Sequence, residues 1–469
     1  MKKTKIICSI GPASYDPDVM EQMVLAGMNV ARINFSHATE EEKIKVLSSV
    51  KEVRKRTGLP ISIMYDTKGP EFRSGLMEND GITLVAGKTV RVVKEVVIGN
   101  NERFSVNFPE AIDHLEIGNI ILLENGLMKI EVISVEEDGV TCLILSGGIM
   151  GSKKSLNAPG VDLSIPFISK QDREDLIYAC ENEGDFIALS FVNTAKDVLE
   201  AKEIFKKYKR EDLKIISKIE SMQGIQHLDE ITKVSDGIMV ARGDLGVEVP
   251  LQDLPYYQKL MAKRCRAYGK VCIVATEMLE SMKKNIRPTR AEVSDIANAI
   301  LDGTDAVMLS GESTTGLYPI ETVSYMAKIC ESTERYYDYD KKFLSETEKN
   351  PALAIAHGVL NSEDLLDIKL NIALTQTGYS VNTISNLRPK KPVLAICPKE
   401  EVARSLTLNW GVYPITLLDY NDIDKAQKYY KQVAKEMFNL KKDDQVTVVS
   451  GLPFSTERNK TNSLKIDII

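Results

Sequence analysis

Along the first two-thirds of the chain, short β-branched apolar runs alternate with longer amphipathic stretches at intervals of roughly 25 to 35 residues. The runs are KIICS (5–9), NVARINF (29–35), ISIMYD (61–66), FIALSF (186–191), KIISKI (214–219), GIMVA (237–241), VCIVAT (271–276) and AVMLS (306–310). Helical periodicity fills 39–56, 170–183, 195–208, 288–301 and 319–336. Pro288 and Pro319 fall where a first helical turn tolerates a missing N–H. Eight strands joined by crossover helices predict an α/β fold, a closed (β/α)8 TIM barrel with its site at the C-terminal ends of the strands.

One interval breaks this rhythm, between the third run and the helix that begins near Ser169. There the pattern turns to short alternating strands and tight turns, as in GITLVAGKTVRVV and GNIILLENGLMKIEVISVEEDGVTCLIL. A small antiparallel β-barrel inserted over 70–165 is expected, hinged at Pro70 and Pro166 and overhanging the barrel mouth as a lid. Beyond 340 a second α/β pattern begins, with strands near 370–375, 392–396, 412–415 and 445–449. The expected domains are therefore a barrel (1–69 and 166–340), a lid (70–165) and a C-terminal α/β domain (341–469).

Within KIISKIES, Lys218 and Glu220 interrupt an apolar strand on one face. Other predicted strands end similarly: Arg32, Asn34 and Ser36; Asp66, Thr67 and Lys68; Arg242, Gly243 and Asp244; Thr276 and Glu277; Ser310, Gly311 and Glu312. Any one of these suits a structural polar role, but so many at one end of a barrel point to a site. Glu220 and Asp244 offer hard oxygen ligands of the kind Mg²⁺ or Mn²⁺ accepts alongside water and substrate oxygens. A glycosidase-like acid/base pair is the alternative. Lys218 beside them favours a metal and a polyanionic substrate, and Gly243 leaves backbone amides open to an anion.

Composition narrows the classes. A net charge of −7 gives no support to a nucleic-acid surface, and no run of 18 apolar residues suggests a membrane span. Seven cysteines, an odd number without a CxxC pair, suit reduced thiols and a cytoplasmic location. The four histidines (His37, His114, His227 and His357) have no metal-ligand spacing, and no GxxxxGK[ST] loop occurs.

The motifs KTKIICSIGPAS, NVARINFSHA, DTKGPEFRSG, IISKIES, SDGIMVARGDLGVEVP, ATEMLESM and RPTRAEVSDIANAILDGTDAVMLSGES closely resemble those of pyruvate kinase. The resemblance extends over almost the whole chain. It implies phosphoryl transfer from phosphoenolpyruvate to ADP, protonation of the enolate to pyruvate, and a homotetramer. It gives Glu220 and Asp244 the divalent metal, Lys218 the transferring phosphoryl group and enolate, and Gly243, Asp244 and Thr276 the substrate carboxylate. Arg32 and Arg73 are then phosphate contacts, with Asn34, Ser36 and His37 near the nucleotide and Lys154 reaching in from the lid. A K⁺ ion is implied at Asn34, Ser36, Asp66 and Thr67, and Glu71 marks the K⁺-dependent members. The enolate proton comes either through Thr276 or through a water relay. Thr375, Gln376, Thr377, Gly378, Tyr379 and Ser380 resemble the loop that takes a sugar-phosphate effector in regulated members, and equally suit a plain strand-to-helix turn.

Several positions depart from the family pattern. Glu277 replaces the usual glutamine, KKSLNAPG replaces KGVNLPG in the lid, Thr315 replaces a lysine, and Lys460 stands before Thr461 where glycine is usual. A metal-dependent oxo-acid aldolase or lyase would also hold its metal at a barrel mouth, but would not need the lid or Arg73. A degenerate, non-enzymatic paralogue would not be expected to keep Lys218, Glu220, Asp244 and Thr276 together.

Overall fold

The computed structural model describes residues 1–339, 349–417, 423–451 and 461–469. The eight predicted runs form strands β1 (Lys5–Ser9), β2 (Val30–Asn34), β3 (Ser62–Asp66), β4 (Phe186–Leu189), β5 (Lys214–Ile219), β6 (Gly237–Ala241), β7 (Val271–Ala275) and β8 (Ala306–Leu309). They close in the order β1-β8-β7-β6-β5-β4-β3-β2, every pair parallel. Strand alternation decides what each residue faces. Ile215 and Ile219 of β5 pack outward against the helices. Ile216 joins Ile7, Val30, Met64, Met239 and Ile273 inside the barrel, which leaves Lys218 and Glu220 on the same inner face nearer the mouth.

Capping boxes set the helix starts, with Thr39–Glu42, Ser169–Asp172 and Thr289–Glu292 each exchanging side-chain and backbone hydrogen bonds. Pro319 opens its helix as expected. Pro288 does not; Thr289 takes the cap, and the helix runs over Arg290–Leu301.

The barrel floor repeats one device four times. Asn29, Asp185, Asp236 and Asp305 each stand immediately before an even-numbered strand. Each accepts the backbone N–H of a residue at the base of the preceding strand: Ile6 (3.0 Å), Ile63 (2.9 Å), Ile215 (3.0 Å) and Cys272 (2.9 Å). Two of the four, at β4 and β8 on opposite sides of the ring, receive arginines from the C-terminal part of the chain. Arg404 Nε lies 2.8 Å from Asp185, and an Arg388 Nη lies 2.6 Å from Asp305. Between them Leu408, fully buried, joins the core inside the barrel and plugs its base.

Between β3 and the helix Lys170–Glu181, a six-stranded sheet runs in the order 156–157, 120–123, 128–136, 139–146, 89–93, 103–105, beside a ribbon of 81–84 and 148–151. All neighbours are antiparallel except Thr89–Val93 with Arg103–Ser105. Both sheets share a separate core that includes Val90, Phe104, Ile121 and Ile130. The chain leaves the barrel through Gly69, whose φ of 74° and close approach to Ser190 (2.8 Å from an added Cβ) exclude a side chain.

The C-terminal sheet contains β9 (Ile368–Leu374), β10 (Val393–Cys397), β11 (Val412–Thr416), β12 (Gln445–Ser450) and β13 (Ser463–Ile468), in the order β11-β10-β9-β12-β13. Only β13 is antiparallel, and it is a strand the sequence pattern did not signal. Lys460 and most of the loop before it lie outside the described residues. All seven cysteines are free and buried. No described helix is long and apolar enough to cross a membrane.

Candidate active site

At the C-terminal ends of β2 to β6, a cleft of about 420 Å³ is lined by Arg32, Asn34, Ser36, His37, Lys68, Glu71, Arg73, Lys153, Ser190, Phe191, Lys218, Glu220 and Asp244. Its floor is an ionic cluster. Lys218 Nζ lies 3.1 Å from Asp66 Oδ1, 3.0 Å from Glu220 Oε1 and 2.6 Å from Ser190 Oγ. On its other oxygen, Asp66 accepts Arg32 Nε at 2.6 Å, while an Arg32 Nη donates to Ser9 Oγ at 2.6 Å. The second Nη of Arg32 makes no hydrogen bond among the described residues.

The charges are mutually set. Burial alone would lower the Lys218 pKa, but Asp66 and Glu220 outweigh it and hold the ammonium above its ordinary value. Burial likewise opposes ionisation of Asp66, and Arg32 and Lys218 overcome it. Glu220 differs: burial pushes its carboxyl up to about 7, Lys218 opposes the shift and Asp244 adds to it.

Glu220 Oε2 accepts the backbone N–H of Phe191 at 2.7 Å. Oε1 is buried and, although 3.0 Å from the Lys218 ammonium, makes no hydrogen bond. Three non-glycine residues at the strand ends carry positive φ: Phe191 (54°), Thr276 (68°) and Glu277 (52°). Such backbone is costly for bulky and β-branched residues and tends to persist at functional sites. At Phe191 the left-handed turn accompanies an N–H aimed at Glu220. At Thr276 it accompanies a hydroxyl that accepts Gly243 N–H at 2.9 Å and donates to Ala275 O at 2.6 Å.

Gly243 opens the helix Arg242–Glu248, whose first turn also carries Asp244. A Cβ at Gly243 would approach Thr276 no closer than 3.7 Å, so the fold itself does not demand glycine there. Arg242 turns away from the cleft, bound to Asp295 at 2.8 and 2.7 Å and to Thr276 O at 2.5 Å, which fixes the Thr276 turn. Glu277 is exposed and lines neither this cleft nor the one beside it.

Glu71 sits at the cleft edge, held by Arg73 at 2.8 and 2.6 Å and by Lys68 at 3.2 Å. Burial opposes its ionisation, but Arg73 and Lys68 keep its carboxyl below the usual range. Lys154 points elsewhere: it pairs with Glu124 at 2.6 Å and lines a wider neighbouring cleft of about 580 Å³. The lid lysine lining the cleft with Lys218 is Lys153, one residue earlier. Ser190, the Phe191 amide and Lys153 escaped the sequence reading; a serine and an aromatic ending a strand carry no signal of their own.

Among the described residues no group of three or more His, Cys, Asp or Glu side chains gathers at metal-binding distance. Glu220 and Asp244 offer two hard oxygen donors, a set that suits an ion such as Mg²⁺ that keeps several waters and substrate oxygens. The buried Glu220 Oε1 without a hydrogen bond is an acceptor such an ion would satisfy. Asn34 and Asp66 are register partners, and Thr67 follows, its hydroxyl accepting Ser190 N–H at 3.2 Å. Asn34 Oδ1 accepts Ser36 N–H at 3.1 Å. These four residues offer oxygen donors of a kind suited to K⁺.

In the C-terminal sheet, Thr375 to Ser380 leave β9 in a turn closed by Gly378 N–H donating to Thr375 Oγ1 at 2.9 Å. Gly378 has φ 86° and precedes the helix Tyr379–Asn386.

Comparison with known proteins supplies the family. The model described as pyruvate kinase, barrel domain, matches residues 1–323, and pyruvate kinase, alpha/beta domain, matches 353–467. A pyruvate kinase of Clostridium acetobutylicum is 41% identical over 474 residues, covering 100% of both chains. That of Geobacillus stearothermophilus is 41% identical over 478 residues, covering 100% of this chain and 80% of its own. A crystal structure of a pyruvate kinase from Cryptosporidium parvum matches with a TM-score of 0.94 at 36% identity, covering 100% of this chain and 96% of that one. With two family models, relatives matched over the whole of this chain and a solved structure agreeing, the chain belongs to the pyruvate kinase family, phosphotransferases that pass the phosphoryl group of phosphoenolpyruvate to ADP.

Proposed function

We propose that Lys218, Glu220, Asp244, Arg32 and Thr276 carry the phosphoryl transfer in this chain. The observation that carries this assignment is the buried Glu220 Oε1, left without a hydrogen bond beside the Lys218 ammonium. Glu220 and Asp244 would hold the Mg²⁺ or Mn²⁺ that the family requires, and a bound divalent ion supplies charge neutralisation for the phosphoryl and enolate oxygens. Lys218, kept protonated by Asp66 and Glu220, faces the same space and stabilises charge that grows on the enolate oxygen as the phosphorus–oxygen bond breaks. Arg32, anchored through Nε and one Nη, keeps its remaining N–H groups for the phosphoryl oxygens. The Gly243 amide and Thr276 hydroxyl exchange their mutual hydrogen bond for bonds to the substrate carboxylate. Thr276 stays a hydrogen-bonding group, its hydroxyl pKa being too high to act alone as an acid.

ADP would lie toward Asn34, Ser36, His37 and Arg73, with Lys154 or its neighbour Lys153 descending from the lid. K⁺ would sit at Asn34, Ser36, Asp66 and Thr67, with Glu71 making the enzyme dependent on it. The division would be a catalytic barrel (1–69 and 166–340), a lid (70–165) and a C-terminal domain (341–469); the lid's core, which includes Val90 and Phe104, supports its separateness, whereas Leu408 ties the C-terminal part to the barrel interior. A sugar-phosphate effector would use Thr375 to Ser380 in a homotetramer, and free buried thiols suit a cytoplasmic enzyme.

The deciding experiment measures pyruvate formation from phosphoenolpyruvate and ADP, with and without Mg²⁺ and K⁺, in wild type and Lys218→Met. Wild type should be active with both ions and the variant reduced by roughly 10²- to 10³-fold in kcat. A variant with wild-type kcat would overturn the assignment.

A further inference from the structure

One short element of the barrel carries site residues in its first turn and contacts to the inserted sheets at its far end. The helix Arg242–Glu248 carries Gly243 and Asp244 in its first turn, and its last residue, Glu248, accepts a 2.8 Å hydrogen bond from Asn157 Nδ2. Among the described residues this is the one side-chain hydrogen bond joining residues 74–160 to the barrel. The Gly126 turn sits on the same helix, where an added Cβ would lie 3.8 Å from Val247.

Glu248 is an expensive residue for this place. It closes a helix, where the backbone already presents partial negative charge. It is half-buried, burial raises its carboxyl above the ordinary value, and among the described residues no lysine or arginine pairs with it. Asn157 is the group that offsets these costs. That asparagine is not a loose surface residue either. Its strand Leu156–Asn157 pairs with Ile120–Leu123, Leu156 N–H donates to Phe72 O at 2.8 Å, and Ser155 bridges to Arg73. Lys153 lies four residues upstream, its backbone carbonyl accepting Arg73 at 2.8 Å.

We infer that Asn157 and Glu248 form a latch that sets the height of the lid above the site, by tying the strand behind Arg73 and Lys153 to the helix that presents Asp244. They are positioning residues for the nucleotide side of the reaction. The inference rests on the reading that Arg73 and the lid lysines meet the ADP phosphates.

The test is steady-state kinetics of the full chain carrying Asn157→Ala, Glu248→Ala, both together, or Glu248→Gln. Each alanine should raise KM for ADP about fivefold, the equivalent of one hydrogen bond, with kcat within about twofold of wild type. The double variant should be no worse than either single one. Glu248→Gln, whose side-chain carbonyl still accepts from Asn157, should restore the wild-type KM. Additive single effects, a glutamine variant as poor as alanine, or a lowered melting temperature with unchanged KM would each overturn the latch. Arg73→Ala separates the two failures. A wild-type KM for ADP in that variant refutes the nucleotide reading, whereas a raised KM there beside unchanged latch variants refutes the latch alone.

Discussion

Ser190 Oγ accepts Lys218 Nζ at 2.6 Å and donates to the Thr67 carbonyl at 2.7 Å, so the end of β4 orients the ammonium at the end of β5. The ammonium keeps Asp66 and Glu220 as partners without Ser190, but its direction is no longer fixed. Ser190→Ala should therefore lower kcat by roughly ten- to a hundredfold, as loss of a hydrogen bond to a charged group does. Phosphoenolpyruvate KM should change little, and a wild-type kcat would count against the orienting role.

Glu220→Gln keeps an acceptor for Phe191 N–H and removes the buried charge. The Mg²⁺ concentration for half-maximal activity should rise by at least about tenfold, the order seen even when an outer partner of a metal ligand is lost. A metal titration of the rate checks this; an unchanged midpoint would place the ion elsewhere.

Glu71 is bound to Arg73 and Lys68 at the cleft edge, so a lysine at 71 would place a fixed positive charge where the monovalent cation is expected to act. Glu71→Lys should bring the ratio of rates with and without K⁺ down to about one. A variant still activated by K⁺ as strongly as wild type would refute the inference from Glu71.

Arg404→Met leaves Asp185 buried with Arg54, 3.3 Å away, as its remaining cation. Breaking a buried pair from one side costs about 3–5 kcal/mol. The denaturation midpoint should fall accordingly. Trp410, the single tryptophan and only 1% exposed, reports the change through its emission. An unshifted midpoint would mean that Arg54 alone compensates Asp185.

Acid should act on β13. Burial opposes ionisation of Asp467, but hydrogen bonds from Tyr430, Ile468 N–H and Gln427 bring its carboxyl down from 3.8 to about 2. A depressed carboxyl adds stability that is complete above the unfolded value and is lost as pH falls from about 4 towards 2. In an acid titration Asp467→Asn should flatten that part of the profile. A wild-type slope would assign the transition to other carboxylates.

Sequence made the barrel legible because its strands are short, apolar and evenly spaced; KIISKI and GIMVA coincide with β5 and β6 to the residue. Alternation alone placed Lys218 and Glu220 on one face. What the chain could not disclose was register. Lys153 and Lys154 are consecutive, and only the lid's placement shows which one enters the cleft with Lys218. Pro288 reads as a first-turn proline, but the Thr289–Glu292 capping box starts the helix at Arg290 and leaves the proline outside it. The aspartates before Phe186, Gly237 and Ala306 become one repeated device only after the sheet closes into a ring.

The base of the barrel carries a consequence for how the protein can be divided. With Leu408 seated inside the ring and arginines from beyond β9 gripping β4 and β8, the C-terminal part completes the catalytic scaffold. Residues 1–339 taken alone would keep every active-site side chain yet open an apolar hole at the axis and strip Asp185 and Asp305 of Arg404 and Arg388. The stretch that carries the proposed site residues should therefore be less stable without the rest of the chain, and a chimera that exchanges the C-terminal part should need its own stopper and both arginines.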